Sequence, residues 1–413
     1  MKYAAAGTQS DDNSAVALHR FPPEDQLLIC CARVNLTPKD QDQLRAIVAS
    51  RLNWDAVMRE TRRQCITPLM YRHLHAQCPD SVPPEVMTRL RQEYLLSATR
   101  SMALAAELRE ITLLLEGEGI ASLPYKGPVL ALQAYNDIAL RTFTDLDLIV
   151  CRGDVARARE VLSSRGYAPL DQLTLSQETA VLRLDHNLPL VRSVDKIVIE
   201  LHWRVAPVAF TFPMPMDLLW DRATPVLLGG KEVLGMSVND LILVLSVHGA
   251  RHAWSAIEWI TGIAELIRQP DGVCWDQVIR EAEQFRVGRI VRLALALADC
   301  LLDAPIPPKV ACWVKEDHRI PRLVAWVSAR LFVPVDPQTA TEQWAAFQFE
   351  LAVKDGPREQ IRDGLRRILL PTGKDWGAAG LPDALFPIYY LIRPFRLLGR
   401  YLSHVAASRK ETR

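Results

Sequence analysis

Two aspartates, Asp145 and Asp147, stand in an otherwise apolar segment, FTDLDLIV. Side chains alternate between the two faces of a strand, so both carboxylates project from the same face. Neighbouring carboxylates repel each other and strand interiors disfavour Asp, so the pair needs a compensating cation. Mg²⁺ meets this need, because it prefers oxygen ligands and is commonly held by one or two carboxylates plus substrate phosphates. The alternative is a solvated strand end where both acids pair with Lys or Arg.

A third carboxylate, Glu200, interrupts the apolar run IVIELHW. If this run forms a strand beside FTDLDLIV, then Asp145, Asp147 and Glu200 converge on one point. Three carboxylates are enough to hold one or two divalent ions, which orient nucleotide phosphates and activate an attacking hydroxyl. His202 shares a face with Glu200 and could hydrogen-bond to a metal-bound carboxylate, or simply pack beside Trp203. His186, in DHNLPLV, could line the same cleft.

A glycine turn and two basic residues precede the acidic strand. Lys126, Gly127 and Pro128 open the helical run VLALQAY. Glycine permits close approach of the backbone, proline suits the first helical position, and a helix N-terminus favours an anion. A triphosphate is such an anion, and Arg141 could bind another phosphate oxygen. Lys126 or Arg141 alone is more typical of a surface cation, but together with three acids they indicate a nucleotide site.

The elements that must position these residues form a small α/β unit over residues 118–206. The runs GIASLPY and TDLDLIV predict strands, VLALQAY and VARAREVLSSRGY predict helices, and NLPLVRS with DKIVIELHW predicts a hairpin. The unit should therefore contain about four strands and two or three helices. The predicted fold class is α+β. A small mixed β-sheet core is flanked by N-terminal helices, residues 23–117, and by a C-terminal helical region, residues 207–413. Residues 1–22, before the first helices, are predicted to be a disordered tail.

Composition limits the classes of protein that fit. The chain has 413 residues, 49% of them hydrophobic and 23% charged, which is typical of a soluble globular protein of two or three domains. Its net charge of +1 gives no general attraction to nucleic acid or an acidic membrane. Eight cysteines without C-x-x-C spacing favour reduced thiols and a cytoplasmic location. No run approaches the ~20 apolar residues of a transmembrane segment, and no signal peptide is evident.

Two features lie outside the α/β unit. His248 and His252 are four residues apart in VHGARH, so they share a helix face, as paired metal ligands would. No third ligand is evident nearby, which favours histidines of the core or of a substrate groove. The ending IRPFRLLGRYLSHVAASRK is basic and amphipathic. It could contact a membrane surface or an acidic partner, but a solvated helix face is the favoured interpretation.

The segment LPYKGPVLALQAYNDIALRTFTDLDLIV, followed by HNLPLV and IVIELHWRV, resembles a group of uncharacterised bacterial nucleotidyltransferases in the DNA polymerase β-type superfamily. The resemblance implies that Gly127 forms the turn after the first strand. It also implies that Asp145 and Asp147 are the paired acids and that Glu200 completes the metal set. The superfamily usually has Gly-Ser or Gly-Gly at the turn, whereas Lys126 and Gly127 stand here. Arg141 matches a second basic position of the group.

We therefore expect a nucleotidyltransferase that uses Mg²⁺ or Mn²⁺ to transfer a nucleoside monophosphate from an NTP such as ATP. The acceptor would be a hydroxyl or phosphate of a small molecule, peptide or saccharide. The alternatives are an RNA-modifying nucleotidyltransferase, which needs a basic groove, and a catalytically silent nucleotide-binding module. The expected roles are catalysis and metal binding for Asp145, Asp147 and Glu200, nucleotide binding for Lys126, Gly127 and Arg141, and support of the metal ligands for His202 and His186.

Overall fold

The computed structural model describes residues 21–270, 272–336 and 339–399. Most of the predicted disordered tail and the last part of the basic C-terminal stretch lie outside the described residues. Helices open the described chain, and Pro38 and Pro84 each occupy the first turn of a helix, where the N–H that proline lacks would have no partner within the helix. The N-terminal helices are α1 (Pro23–Cys31), α2 (Pro38–Val48), α3 (Trp54–Arg63), α4 (Thr67–Gln77) and α5 (Pro84–Gly117).

A five-stranded mixed sheet occupies the middle of the chain, in the order β1-β2-β5-β4-β3. Strands β2 and β5 are parallel, and the other neighbouring pairs are antiparallel. The predicted hairpin is confirmed as β4 and β5. The sheet has one strand more than the four or so predicted, because β3 is only three residues long and too short to show alternation. The strands are β1 (Ser122–Pro124), β2 (Asp145–Val150), β3 (Tyr167–Pro169), β4 (Asn187–Arg192) and β5 (Val198–His202).

The two faces of the sheet have different partners. Leu146, Leu148 and Val150 of β2 point to one face, where they share a hydrophobic cluster with Leu108 of α5 and Leu162 of the helix that follows β2. Asp145 and Asp147 belong to the opposite face by strand alternation. Three helices connect the strands: α6 (Gly127–Tyr135), α7 (Val155–Ser163) and α8 (Leu175–Leu184). The acids therefore project from the face that does not join this cluster.

The C-terminal region is mostly helical, as predicted, and also contains an unpredicted two-stranded ribbon, β6 (Thr224–Leu228) and β7 (Lys231–Gly235). Its turn is Gly229-Gly230, in which both glycines have positive φ. Within the described ranges, every helix is too short or too polar to span a bilayer. The helices are α9 (Met216–Asp221), α10 (Val238–Arg251), α11 (Ile257–Ile267), α12 (Trp275–Gln284), α13 (Gly288–Leu302), α14 (Pro308–Lys315), α15 (Ile320–Ser328), α16 (Ala340–Ala352), α17 (Pro357–Leu369) and α18 (Gly373–Ala379).

The N-terminal and C-terminal helices share one hydrophobic core. Buried residues from Leu27 to Leu90 belong to the same cluster as buried residues from Leu241 to Val353. Leu123 of β1 and Ile149 of β2 also join it, which places the acid-bearing face of the sheet against the helical core. Burial of this apolar surface fixes the C-terminal helices over the face that carries Asp147 and Glu200.

Candidate active site

The parallel pairing of β2 and β5 brings two of the predicted acids side by side. Asp147 and Glu200 are direct partners in the register, and Ile149 is paired with His202. Partners on adjacent strands project from the same face, so Asp147, Glu200 and His202 share one surface. The Asp147 side chain is 3% exposed, whereas that of Glu200 is 31% exposed and forms the rim. The site therefore has a buried floor and a solvent-accessible edge.

His202 lies between these two carboxylates. Its Nε2 is 3.1 Å from Oδ1 of Asp147 and 3.2 Å from Oε2 of Glu200. Burial opposes a charged imidazole, but the hydrogen bonds to the two acids outweigh it and raise the pKa of His202. Asn187 of β4 also donates to Oε2 of Glu200, at 2.7 Å. Asp147, Glu200 and His202 each offer a ligand atom, and these atoms lie within 4.8 Å of one another, so together they could hold a metal ion.

Lys126, immediately before α6, contacts the same acid. Its Nζ donates to Oδ1 of Asp147 at 2.8 Å, and its side chain is 13% exposed. Burial alone would raise the pKa of Asp147, but Lys126 and His202 outweigh it and hold that pKa well below its ordinary value. Asp147 is therefore ionised at neutral pH. Lys126 and Asp147, 21 residues apart in the sequence, form one buried pair at the start of the helix.

Asp145 is the acid without a partner. Among the described residues, none forms an ion pair or a hydrogen bond with its carboxylate. Burial, with added repulsion from Asp147 and Glu200, raises the pKa of Asp145 to about 6. The three acids predicted from the sequence thus lie close enough to repel one another, but only Asp147 and Glu200 share the compact set of ligand atoms with His202. An additional cation would relieve the remaining repulsion.

The structure places Gly127 and Arg141 behind the acids. Gly127 is buried, has a φ of +49°, and lies so close to β2 that a β-carbon there would be 3.4 Å from the carbonyl oxygen of Asp145. Arg141 donates to the carbonyl oxygen of Gly127 at 3.4 Å and forms an ion pair with Glu258 of α11 at 2.6 Å. Arg141 is therefore buried, with its guanidinium held between Glu258 and the backbone of Gly127.

Two groups from other elements border the acids. His186, just before β4, has its ring 5.5 Å from that of His202, and its Nε2 is 3.2 Å from Nη1 of Arg251, the last residue of α10. The rings of His248 and His252 lie 4.7 Å apart between centroids and are tilted by 50° to each other, and both rings contact Trp259. The positive charge of Lys126 helps to lower the pKa of His248, after burial. The helix carrying this histidine pair therefore borders the cleft.

Sequence reasoning missed Arg251 and Asn187 as residues of the site. Arg251 lies inside the VHGARH run, but nothing in its local pattern shows that α10 ends beside β4. Asn187 begins a strand that was predicted, and its contact with Glu200 follows once the register of β4 and β5 is known. A cross-strand analysis of the hairpin would have found Asn187, because it is the partner of His202.

Residues 50–303 match a protein family described as an uncharacterised nucleotidyltransferase. This range spans more than half of the chain and includes every site residue from Lys126 to Glu258. Neither the comparison with curated proteins nor the comparison with solved structures found a match. The acids on β2 and β5, the basic turn between β1 and α6 and this match agree with one another, and the chain belongs to this uncharacterised nucleotidyltransferase family.

Proposed function

We propose that the protein is a metal-dependent nucleotidyltransferase that moves a nucleoside monophosphate from an NTP to a hydroxyl or phosphate of a small-molecule, peptide or saccharide acceptor. The observation that carries the proposal is the pairing of Asp147 with Glu200 on parallel strands beside Lys126. Residues 118–206 are the proposed nucleotidyltransferase core, with helices from both flanks enclosing it.

The residues present fit a divalent cation. Asp145 has no partner among the described residues and its pKa is raised by the charge of Asp147 and Glu200 after burial, so the three acids together carry more negative charge than their surroundings neutralise. Carboxylates are the ligands that Mg²⁺ and Mn²⁺ prefer. We assign Asp145, Asp147 and Glu200 as the ligands. When bound, the ion would supply charge neutralisation of the phosphates and activation of the attacking oxygen.

His202 is better assigned as a donor to the acids than as a ligand. A histidine that binds metal usually donates its other ring nitrogen to an acceptor. The Nδ1 of His202 is buried and has no hydrogen-bond partner among the described residues. Its Nε2 instead bridges Asp147 and Glu200. In this role His202 fixes the separation of the two carboxylates.

The phosphates would lie at the turn before α6. The positive φ of Gly127 turns the backbone tightly between β1 and the helix, and Lys126, the N-cap residue of α6, contacts Asp147. A helix N-terminus carries partial positive charge and favours an anion. Lys126 adds a full charge at the same place. Lys126 and the helix therefore position the triphosphate, while Arg141 supports the turn through Gly127.

In the proposed reaction an acceptor oxygen attacks the α-phosphorus of the NTP. A new oxygen–phosphorus bond forms, the bond between the α-phosphorus and the bridging oxygen breaks, and pyrophosphate leaves with its electron pair. If the acceptor is a hydroxyl, its proton passes to water. Positioning and charge neutralisation account for most of the rate in such transfers, which agrees with a site made of fixed charges rather than a nucleophilic side chain.

One observation favours a second candidate, a silent nucleotide-binding module. Lys126 and His202 both contact Oδ1 of Asp147, so part of the negative charge is balanced by the protein itself. A buried carboxylate held in this way can persist without an ion. The two candidates differ in a measurable property: the enzyme needs a divalent ion for turnover, whereas the module would bind nucleotide equally well after chelation of metal.

The test is transfer of an α-³²P label. The full-length protein is incubated with each of the four NTPs, Mg²⁺ or Mn²⁺, and a small-molecule and peptide extract, and labelled products are identified by mass spectrometry. Labelled product should form with the wild type and with Asp80→Asn, a change at an exposed acid in the turn between α4 and α5. It should be lost with Asp147→Asn and Glu200→Gln. Label that ribonuclease removes would point to RNA as the acceptor. Equal labelling by wild type and both acid variants would refute the mechanism.

A further inference from the structure

Arg251 is a charged side chain that the proposed chemistry does not yet use. It ends α10, on the C-terminal side of the chain, and its guanidinium is partly buried beside β4. Among the described residues it has no carboxylate within ion-pair distance, although the charge of Glu200 acts on it. Its guanidinium donates instead to the neutral acceptor Nε2 of His186, at 3.2 Å. A guanidinium withdrawn from water without a counter-charge is costly, and such groups are typical of anion-binding sites.

The contact with His186 is itself held in place by a second hydrogen bond. Nδ1 of His186 lies 2.6 Å from Oδ1 of Asp185. A carboxylate cannot donate, so Nδ1 carries the hydrogen and Nε2 of a neutral imidazole is left to accept from Arg251. Burial lowers the pKa of His186 to about 4, which keeps the ring neutral at physiological pH. Asp185 and His186 therefore orient Arg251 and leave its other N–H groups for a ligand.

Arg251 lies near the acids, to which it is connected through His186 and His202. The ring of His186 is 5.5 Å from the ring of His202, which bonds to Asp147 and Glu200. Lys126 contacts Asp147 from the α6 side, whereas Arg251 comes from α10. The acids are thus bordered by two cations that belong to different parts of the chain. Burial lowers the pKa of Arg251 despite the nearby charges of Asp185 and Glu350, which agrees with a guanidinium that the protein leaves incompletely neutralised.

We infer that Arg251, oriented by Asp185 and His186, binds the pyrophosphate part of the nucleotide from the side of the cleft that α10 forms. This inference rests on the proposed function, because it assigns a ligand group of the same site. A guanidinium suits the role, since its fork of donors matches two oxygens of a phosphate. The consequence is that the C-terminal helical region takes part in substrate binding directly.

The experiment uses Mg²⁺-pyrophosphate as the probe, because it needs no knowledge of the base. Its affinity for the full-length protein is measured by calorimetry, and the free nucleosides serve as a phosphate-free control. Arg251→Met should weaken pyrophosphate binding by about tenfold or more, the effect of losing a charge-assisted hydrogen bond. Arg251→Lys should retain part of the affinity. Arg322→Met, an exposed arginine of α15, should bind as the wild type does.

A second pair of variants tests the positioning role of His186. Gln can place an acceptor near the position of Nε2, whereas Leu cannot. We expect His186→Gln to keep pyrophosphate affinity within a few-fold of wild type and His186→Leu to lose about as much as Arg251→Met. Thermal unfolding of each variant identifies any that fails to fold. If Arg251→Met does not fold, the pyrophosphate affinity of Arg251→Lys is compared with that of the wild type instead.

The outcomes separate the two proposals. If the wild type binds pyrophosphate and both Arg251 variants bind it equally well, the inference about Arg251 is wrong, while the nucleotidyltransferase proposal stands. If the wild type binds no pyrophosphate with either Mg²⁺ or Mn²⁺ and also transfers no label, both are wrong. If Arg251→Met weakens nucleosides as much as pyrophosphate, the effect is not on a phosphate and the inference is overturned.

Discussion

Arg141 and Glu258 form a buried ion pair that joins the segment before β2 to α11, with Nε of Arg141 2.6 Å from Oε1 of Glu258. Both side chains are less than a tenth exposed. Because Arg141 also donates to the carbonyl oxygen of Gly127, the pair connects the turn at the site to the C-terminal helices. We therefore expect loss of Arg141 to lower the stability of the protein. The sequence alone predicts a different role for Arg141, namely binding of a phosphate.

The first prediction concerns the stability of this pair. Arg141→Met should destabilise the protein by about 3–5 kcal/mol, because it leaves the carboxylate of Glu258 buried and unpaired. The double variant Arg141→Met/Glu258→Met should recover much of the loss, since no charge remains buried. Urea unfolding measures both. If the double variant folds normally yet no longer binds Mg²⁺-pyrophosphate, Arg141 does bind phosphate.

The second prediction concerns Asp145 in the absence of divalent ions. A carboxyl group whose pKa is raised to about 6 opposes folding above that pH, because the unfolded chain holds its charge more easily. Asp145→Asn should therefore stabilise the metal-free protein by about 1–3 kcal/mol at neutral pH while abolishing label transfer. Unfolding in a chelator gives the stability. A destabilised Asp145→Asn would mean that this carboxylate has a partner in solution.

The third prediction concerns binding of the metal itself. A ligand that binds only the folded state stabilises it by about 2.7 kcal/mol at a hundredfold excess over Kd. Mg²⁺ or Mn²⁺ should therefore raise the melting temperature of the wild type, and a chelator should reverse the effect. Asp147→Asn and Asp145→Asn should show a much smaller rise. His202→Gln should keep part of it, because we assign His202 as a donor to the acids. A rise of equal size in all four proteins would place the ion elsewhere.

The fourth prediction compares one substitution at two glycines. Gly127 has a φ of +49°, where a side chain costs about 1–2 kcal/mol, and its β-carbon would also approach the carbonyl of Asp145. Gly127→Ala should therefore destabilise the protein and raise KM for the NTP. Gly262 is within α11, and among the described residues no atom outside the neighbouring backbone of its own helix lies within 4 Å of the position of its β-carbon. Gly262→Ala should stabilise by about 0.5–1 kcal/mol. Equal effects at both positions would contradict the conformational argument.

The fifth prediction concerns His73, which is buried on α4 away from the acids. Burial, partly offset by a hydrogen bond from Nε2 to the carbonyl of Arg33, lowers the pKa of His73 to about 4. The folded state then binds fewer protons than the unfolded chain as pH falls from about 6.5 towards 4, so stability is lost in that interval. Between about pH 8 and pH 5 the loss from this group should be about 2 kcal/mol. His73→Gln should reduce the pH dependence of urea unfolding by this amount; an unchanged dependence would mean that His73 is protonated in the folded state.

Local pattern predicted four of the five strands of the sheet and the shared face of Asp145 and Asp147, because alternation and turn residues act over a few positions. It also placed Glu200 correctly once its strand was assumed to lie beside β2. The pairing of Arg141 with Glu258 could not be predicted in this way, because 117 residues separate them. The contact between Arg251 and His186 depends equally on how α10 packs against the sheet. Long-range packing, rather than local propensity, decides which partner each of these arginines binds.

The hydrophobic core that contains both Leu27 and Val353 has a consequence for synthesis of the chain. The helices α1 to α4 cannot complete their packing until α10 to α16 have been translated. Until then their apolar surfaces are exposed to chaperones and to other nascent chains. A ribosome that stalls within α13 would therefore hold a chain in which α1 to α4 still lack part of the core that they share with the later helices.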